Sequence, residues 1–205
     1  MKARTENSLS YKKWLNQIRA FPSIEGCRTW LADRDHAFLS EKLRELIIVG
    51  AADEGIRLSE ICGREGIAVL AHVDDHPQKQ GMTVGRQVIA PLDSLRDVDP
   101  HIPVVIASHR VLKVMERLTN MGFQHVAPFG LLQVLQPETF TPHMFHTGLL
   151  EDLIDNAERY EELMESLADE MSQMVLDAVL GYRLTFDPRI LAPIVEWDLY
   201  GPKNL

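Results

Sequence analysis

The chain has 205 residues and a mass of 23.3 kDa, which fits one domain with appended helices and excludes a large multidomain protein. Hydrophobic residues make up 45% and charged residues 25% of the chain, close to the globular average, so we expect neither disorder nor a fibrous repeat. The net charge of −9 opposes the phosphates of nucleic acids and anionic membranes, so neither is an expected partner, whereas a small phosphorylated ligand stays open.

The cysteines and the hydropathy pattern bear on the compartment. Cys27 and Cys62 stand apart with no CxxC pair, which excludes a zinc ribbon and a disulfide framework. The basic N-terminus lacks the apolar core of a signal peptide, and no stretch approaches the ~18 unbroken apolar residues of a membrane span. We therefore expect a cytoplasmic protein without a membrane partner.

The first 45 residues predict two helices. Apolar side chains recur at helical spacing on both sides of Phe21-Pro22, where the proline interrupts the helix because it lacks a backbone N–H. The apolar positions are Trp14, Leu15, Ile18, Trp30, Leu31, Phe38, Leu39 and Leu43. We expect residues 1–45 to form N-terminal helices that pack against the C-terminal part of the chain.

Residues 46–140 change character and predict a parallel sheet. Short β-rich runs alternate with helical stretches and with turns rich in Gly, Pro and Asp, which is the pattern of strands joined by crossover helices. The predicted strands are 46–50, 67–74, 87–90, 103–108 and 123–127, and the predicted helices are 54–65, 92–96 and 109–121. The fold class is therefore α/β, a Rossmann-like doubly wound and mainly parallel sheet, with five strands in the order 3-2-1-4-5.

Residues 141–205 predict a helical arm. Between residues 151 and 180 there are ten acidic residues and one basic residue, Arg159, and apolar residues, including three methionines expected to fill the core, recur at three- and four-residue steps. This spacing favours one amphipathic helix of about 30 residues and roughly 45 Å. Its acidic face suits either solvent or a basic partner. We expect the arm to lead into a further domain or to join two copies of the chain.

The turn after the first predicted strand carries the chemistry. Gly50 begins the run Gly-Ala-Ala-Asp-Glu-Gly, which ends at Gly55, and the second strand ends at Asp74. Gly50 allows a tight turn, Gly55 allows close packing, the helix N-terminus attracts phosphate, and Asp74 can accept hydrogen bonds from ribose hydroxyls. Ala52 replaces the usual middle glycine, and Asp53 with Glu54 adds negative charge. The run predicts a site for a nucleotide-type ligand or an inherited scaffold with an altered site.

Three more residues complete the predicted binding site, for which we expect no catalytic residue and no metal ligand. Asp75 follows Asp74, and Ser108 and Arg110 follow the strand at 103–108, at the edge of the sheet where α/β folds bind ligands. Ser108 also suits a helix cap, and Arg110 can bind a phosphate. His143 and His146 have a spacing that can hold a metal, but packing histidines are the simpler interpretation.

Two family resemblances follow from these motifs. Asp74-Asp75-His76-Pro77, Gly81 and Gly85, with residues 88–95 and 104–107, resemble the N-terminal domain of bacterial sugar N-acyltransferases, which binds a nucleotide sugar. Residues 45–204 as a whole, with the acidic helix and Tyr182-Arg183-Leu184-Thr185, resemble the Rossmann-like region that precedes the catalytic domain of FkbM-family methyltransferases.

The resemblances imply a binding or regulatory module for a nucleotide or nucleotide sugar. They place Gly50, Gly55 and Asp74 toward the ligand, and they imply that this chain lacks the methyl-transfer site, because no second acidic-glycine strand end occurs before Leu205. The ligand can be a UDP-sugar, NAD or S-adenosylmethionine. The alternatives are a stand-alone methyltransferase using S-adenosylmethionine, an NAD-dependent oxidoreductase using the same turn, and a structural dimerisation domain.

Overall fold

The computed structural model describes residues 12–142 and 146–194. These residues form two compact units: one contains residues 12–27 and 150–194, and the other contains residues 28–142 and 146–149. The sequence interpretations of His143 and of the helical arm after residue 194 lie outside the described residues. Within those ranges, no helix has the length and apolar character needed to cross a membrane.

Eight α-helices and six strands are present in the described residues. The helices are α1 (Lys13–Arg19), α2 (Ile24–Arg34), α3 (Asp53–Glu65), α4 (Val111–Asn120), α5 (Phe129–Leu135), α6 (Leu149–Asp155), α7 (Ala157–Ser166) and α8 (Glu170–Thr185). The strands are β1 (Glu45–Val49), β2 (Ala68–Val73), β3 (Thr83–Val84), β4 (Gln87–Val88), β5 (Val104–Ile106) and β6 (Val126–Pro128). Short 3-10 helices span His36–Phe38, Leu92–Leu95 and Pro188–Ile194.

A parallel four-stranded sheet organises the unit of residues 28–149. Its order is β2-β1-β5-β6, and Val49 is in register with Val73 on one side and with Ile106 on the other. Helix α3 packs on β1 and β2, and α4 packs on β5 and β6. The predicted doubly wound α/β fold is confirmed.

The predicted strand at 87–90, the third of the five in chain order, is absent from the four-stranded sheet in the described residues. Only Ala90 remains of it, in a single parallel bridge with Val73. Gln87 and Val88 pair instead with β3 as a separate antiparallel hairpin, whose tight turn is permitted by the left-handed φ of 58° at Gly85. The local hairpin has therefore replaced a strand that would have extended the sheet beyond β2.

The core of this unit lies on both sides of β1. The residues of β1 after Glu45 are all buried, as expected for a central strand covered on both faces. The cluster on one side contains Ile47, Val49, Val73, Leu92, Leu95, Val104, Ile106, Met115, Leu118 and Phe123. Helix α3 packs on β1 and β2, and its residues Leu58, Ile61 and Cys62 are all buried.

The helical arm is three helices, so the prediction of one long helix is wrong. The first break is at Asn156, between α6 and α7, and the second lies between Ser166 and Glu170. Leu167 has an extended backbone, and the Asp169 carboxylate accepts the backbone N–H of Ser172 at 2.8 Å. This N-cap begins a new helix, because it satisfies an amide that the first turn leaves without an intrahelical partner.

The unit of residues 12–27 and 150–194 contains α1, α7 and α8. Within it, α1 packs on α7 and α8, so the predicted packing against the arm holds for this helix. The buried Asp177 carboxylate, on α8, accepts the backbone N–H groups of Trp14 and Leu15 at 3.0 Å each. The indole of Trp14 lies against Gly181, where a Cβ would overlap the ring. A carboxylate at the N-terminus of α1 and a glycine one turn further along α8 together fix the crossing of these two helices.

Candidate functional site

The turn between β1 and α3 lies at the carboxyl edge of the sheet and depends on two glycines. Gly50 has a φ of 109°, and a Cβ there would lie 2.5 Å from the carbonyl oxygen of Ala107. A Cβ on Gly55 would overlap the carbonyl oxygen of Gly50. The predicted need for glycine at both positions therefore has a steric cause, which is the close approach of the turn to α3 and to the end of β5.

The N-terminus of α3 is open toward solvent. Ala52 is the N-cap residue, has an extended backbone, and supplies no side-chain cap. Ala52 and Asp53 are exposed. The carboxylate of Glu54 pairs with Arg57 at 2.9 Å. The first turn of α3 thus presents backbone N–H groups and the positive end of the helix dipole, beside one exposed carboxylate, that of Asp53.

Asp74 is held by its own chain. Its Oδ2 accepts the Ala51 N–H at 2.7 Å and an N–H of Lys79 Nζ at 3.1 Å, and its Oδ1 accepts the His76 N–H at 2.8 Å. Burial by itself would raise the pKa of Asp74, but these hydrogen bonds together lower the pKa below its ordinary value. The ionised carboxylate therefore ties the β1–α3 turn to the end of β2.

His72 lies beneath the same turn. It is 1% exposed, and its Nε2 is 2.8 Å from the carbonyl oxygen of Gly50. Burial lowers the pKa of His72, so the imidazole is neutral, and Nε2 carries the proton because a carbonyl oxygen only accepts. Within the described residues Nδ1 has no hydrogen-bond partner. His72 is a buried support of the turn.

The remaining predicted site residues divide between two places. Ser108 lies beside Gly50, where a Cβ on the glycine would be 3.2 Å from the Ser108 Cβ, and Arg110 is exposed. Ser108 does not cap α4, since its Oγ accepts the Arg110 N–H and the helix begins only at Val111. Asp75 is directed elsewhere: it accepts the Leu92 N–H at 3.0 Å and pairs with Arg117.

Lys79, whose ammonium contacts Asp74, is a candidate site residue that the sequence pattern does not indicate. It lies in the loop between β2 and β3, five positions after Asp74, and its side chain is 31% exposed. The predicted site consists of strand ends and helix starts, and nothing in the local sequence pattern indicates that this loop turns back toward the β1–α3 turn. The nearest signal is Gly81, whose left-handed φ of 82° allows the reversal.

Other potential chemistry lies outside this site. His146 Nδ1 is 2.6 Å from Gln133 Oε1, and the His146 ring packs against Gly130, a packing arrangement. Across residues 12–142 and 146–194, no group of three or more His, Cys, Asp or Glu side chains could hold a metal ion. Cys27 and Cys62 are buried, and burial raises the pKa of Cys62 to about 12, which keeps that thiol protonated at neutral pH.

Comparisons with known proteins support the fold. No protein-family model matches the chain, and no curated protein matches its sequence. Among solved structures, the chain is similar to the crystal structure of Methyltransferase FkbM from Methylobacillus flagellatus KT, with 18% sequence identity and a TM-score of 0.54. The similarity covers 90% of this chain but only 50% of that protein. The chain therefore has an FkbM-like fold, and this match does not support the resemblance to sugar N-acyltransferases.

Proposed function

We propose that the chain is a Rossmann-like module that binds a nucleotide or nucleotide sugar, and that it serves as a binding or regulatory part of a larger methyltransferase-like protein. The observation that carries this proposal is the uncapped N-terminus of α3 beside Gly50. It lies where β1 has β2 on one side and β5 on the other. The chain order reverses at this point of the sheet, and α/β folds bind their ligands at such a switch point.

The charges around the turn support a phosphate-bearing ligand. The sequence places three carboxylates there, but Glu54 is paired with Arg57 and Asp74 with Lys79. Among the described residues, Asp53 is then the one carboxylate of the three without an ion pair, and the exposed Arg110 follows β5 at the same edge. A phosphate at the α3 N-terminus therefore meets much less repulsion than the sequence suggests.

The similar structure supports a module that belongs to a longer protein. That protein is a methyltransferase, and the similarity to this chain covers half of it. We propose that methyl transfer belongs to a part outside this chain, so the chain alone binds ligand without turnover. Methyl transfer from S-adenosylmethionine or hydride transfer with NAD, measured with this chain alone, would contradict that part of the proposal and favour a stand-alone enzyme.

Titration of the chain with a UDP-sugar, NAD and S-adenosylmethionine tests the binding function. We expect saturable heat of binding in isothermal titration calorimetry for at least one nucleotide-type ligand. The decisive variant is Ala52→Asp, because residue 52 is exposed and already has the extended backbone of an N-cap. The new carboxylate should cap α3 and keep or raise the melting temperature, yet weaken phosphate binding by about tenfold or more.

Gln124→Glu is the matched control, since it adds the same charge at an exposed position before β6, at the opposite edge of the sheet. It should bind like the original chain. The absence of heat of binding with all three ligands would contradict the proposed function and leave the β1–α3 turn with a structural role alone. Binding that Ala52→Asp leaves unchanged would place the ligand away from α3.

A further inference from the structure

The loop between β2 and β3 is fixed in a conformation that returns Lys79 to the ligand site. The Lys79 N–H donates to the His76 carbonyl at 2.9 Å, and Gln80 Nε2 donates to the Asp74 carbonyl at 3.2 Å. The Gly81 N–H then donates to the Ile89 carbonyl at 2.9 Å, which joins the loop to the segment after β4. Lys79 therefore occupies a defined position beside Asp74.

The Lys79 ammonium and the Ala51 amide share one oxygen atom. Asp74 Oδ2 accepts from both, at 3.1 Å from Lys79 Nζ and at 2.7 Å from the Ala51 nitrogen. The ammonium consequently lies next to the backbone that leads into α3. An ammonium has three N–H donors, and in the described residues Asp74 is the one side-chain partner of Lys79.

From this position we infer that Lys79 binds the phosphate groups of the ligand and that the ligand is a nucleoside diphosphate. The inference rests on the proposed function and specifies its ligand. A diphosphate bears negative charge that an ammonium attracts, whereas S-adenosylmethionine bears a sulfonium cation that an ammonium repels. Lys79 thus distinguishes between two ligand classes that the glycines and Asp74 leave open.

The pair of Lys79 and Asp74 also explains how the site accommodates a ribose. Asp74 Oδ2 already accepts from Ala51 and Lys79 in the structure, so a ribose hydroxyl that donates to this oxygen takes the place of the ammonium. The ammonium then changes its partner from the carboxylate to the phosphate. The ammonium neutralises Asp74 before binding and offsets part of the diphosphate charge after binding, when the Asp74 carboxylate keeps the neutral donors Ala51 N–H and His76 N–H and gains the ribose hydroxyls.

Calorimetric titration of the original chain with UDP, uridine, NAD and S-adenosylmethionine, and of Lys79→Gln and Lys79→Arg with UDP and uridine, tests the inference. We expect the original chain to bind UDP more tightly than uridine and S-adenosylmethionine. Lys79→Gln should weaken UDP binding by about tenfold or more without weakening uridine binding, because uridine has no phosphate. Lys79→Arg should retain most of the UDP affinity. NAD also contains a diphosphate but carries other bases than UDP, so a comparison of the two affinities shows whether the site distinguishes the base.

Lys42→Gln is the control, because Lys42 is exposed before β1 at the opposite edge of the sheet, and it should bind UDP normally. Equal losses of UDP and uridine affinity in Lys79→Gln would show that Lys79 only positions Asp74, and unchanged affinities would show that it has no part in binding. Either result overturns the inference and leaves the proposed function standing. Preferential binding of S-adenosylmethionine overturns it too. No binding of any ligand overturns both the inference and the proposed function.

Discussion

His72 makes the folded state sensitive to acid. Its imidazole is buried and neutral, and donates to the Gly50 carbonyl. Burial holds its pKa in the folded protein below the ordinary value of 6.5, so the unfolded chain takes up a proton first as the pH falls. The stability that His72 provides is complete above about pH 6.5 and is lost as the pH falls from there through the folded-state pKa.

We expect the free energy of unfolding, measured by urea denaturation between pH 8 and pH 5, to decrease below pH 6.5. His72→Gln keeps an N–H donor near the Nε2 position without a titrating ring, so this decrease should become smaller. His125, whose pKa is lowered by burial and by His36 and His101, should supply a residual decrease. His109→Gln, the same exchange at an exposed position, is the control, and the decrease should be larger in this variant than in His72→Gln. An unaltered profile in His72→Gln would contradict this role of His72.

The candidate site was predictable residue by residue only where the backbone dictates the residue type. Gly50 and Gly55 follow from the sequence because a strand-to-helix turn of this length leaves no room for a side chain. Asp74 follows the last residue of β2, as the strand pattern predicts, but its hydrogen bond to Lys79 depends on a loop whose path the sequence does not specify. Tertiary contacts between segments far apart in the chain are invisible to a local pattern.

At the scale of elements, the sequence predicted what periodicity and proline positions determine. The predicted helix at 54–65 agrees with α3, and the interruption at Pro22 separates α1 from α2. The prediction of one long helix in the arm is wrong because the apolar spacing continues across the breaks. Leu163, Leu167 and Met171 recur every four residues, although Asp169 caps a new helix between Leu167 and Met171. A continuous apolar stripe indicates which residues share a face and does not reveal an interruption of the backbone.

The cap of α1 by Asp177 should be a large contribution to the stability of the helical unit. Asp177→Ala leaves two backbone N–H groups without their acceptor, those of Trp14 and the buried Leu15. We expect the free energy of unfolding to fall by about 1–3 kcal/mol, measured by urea denaturation at pH 7. Asp169→Ala removes a cap from an exposed helix start and should cost less. An equal or smaller loss in Asp177→Ala would show that solvent replaces this cap.

At the scale of the whole molecule, the outer face of α8 is apolar and exposed. The predicted packing of the arm methionines in the core holds for the buried Met164 and is wrong for Met171, which is 62% exposed, and Met174, which is 44% exposed. Val175 and Val179 extend the same face. The prediction failed because helix α8 is apolar on two sides, and α1 covers only the side that carries Asp177 and Gly181.

Light scattering at several protein concentrations tests whether this face joins two copies of the chain. If it does, the mass should rise toward that of a dimer with concentration, and Met174→Lys combined with Val175→Lys should restore the monomer. A monomeric mass throughout would reject the dimer and leave a further domain as the proposed partner. Leu70→Lys, at an exposed apolar position of β2, is the control and should not alter the mass.

The division into units differs from the order of the segments along the chain. Residues 28–45 belong to the unit of the sheet, whereas α1 belongs with the arm. The sequence grouped residues 1–45 together because both helices have an apolar face. The periodicity of a helix identifies the face that becomes buried, but the surface that covers it is set by the fold as a whole.

The burial of both cysteine thiols makes the protein suited to site-selective labelling. Cys27 and Cys62 are both inaccessible, and a thiol whose pKa is about 12 reacts slowly with maleimides, which require the thiolate. A cysteine in place of the exposed Met82, at the end of the loop that carries Lys79, would be modified in preference to both. A fluorophore attached there would report ligand binding beside Lys79 without removal of either native cysteine.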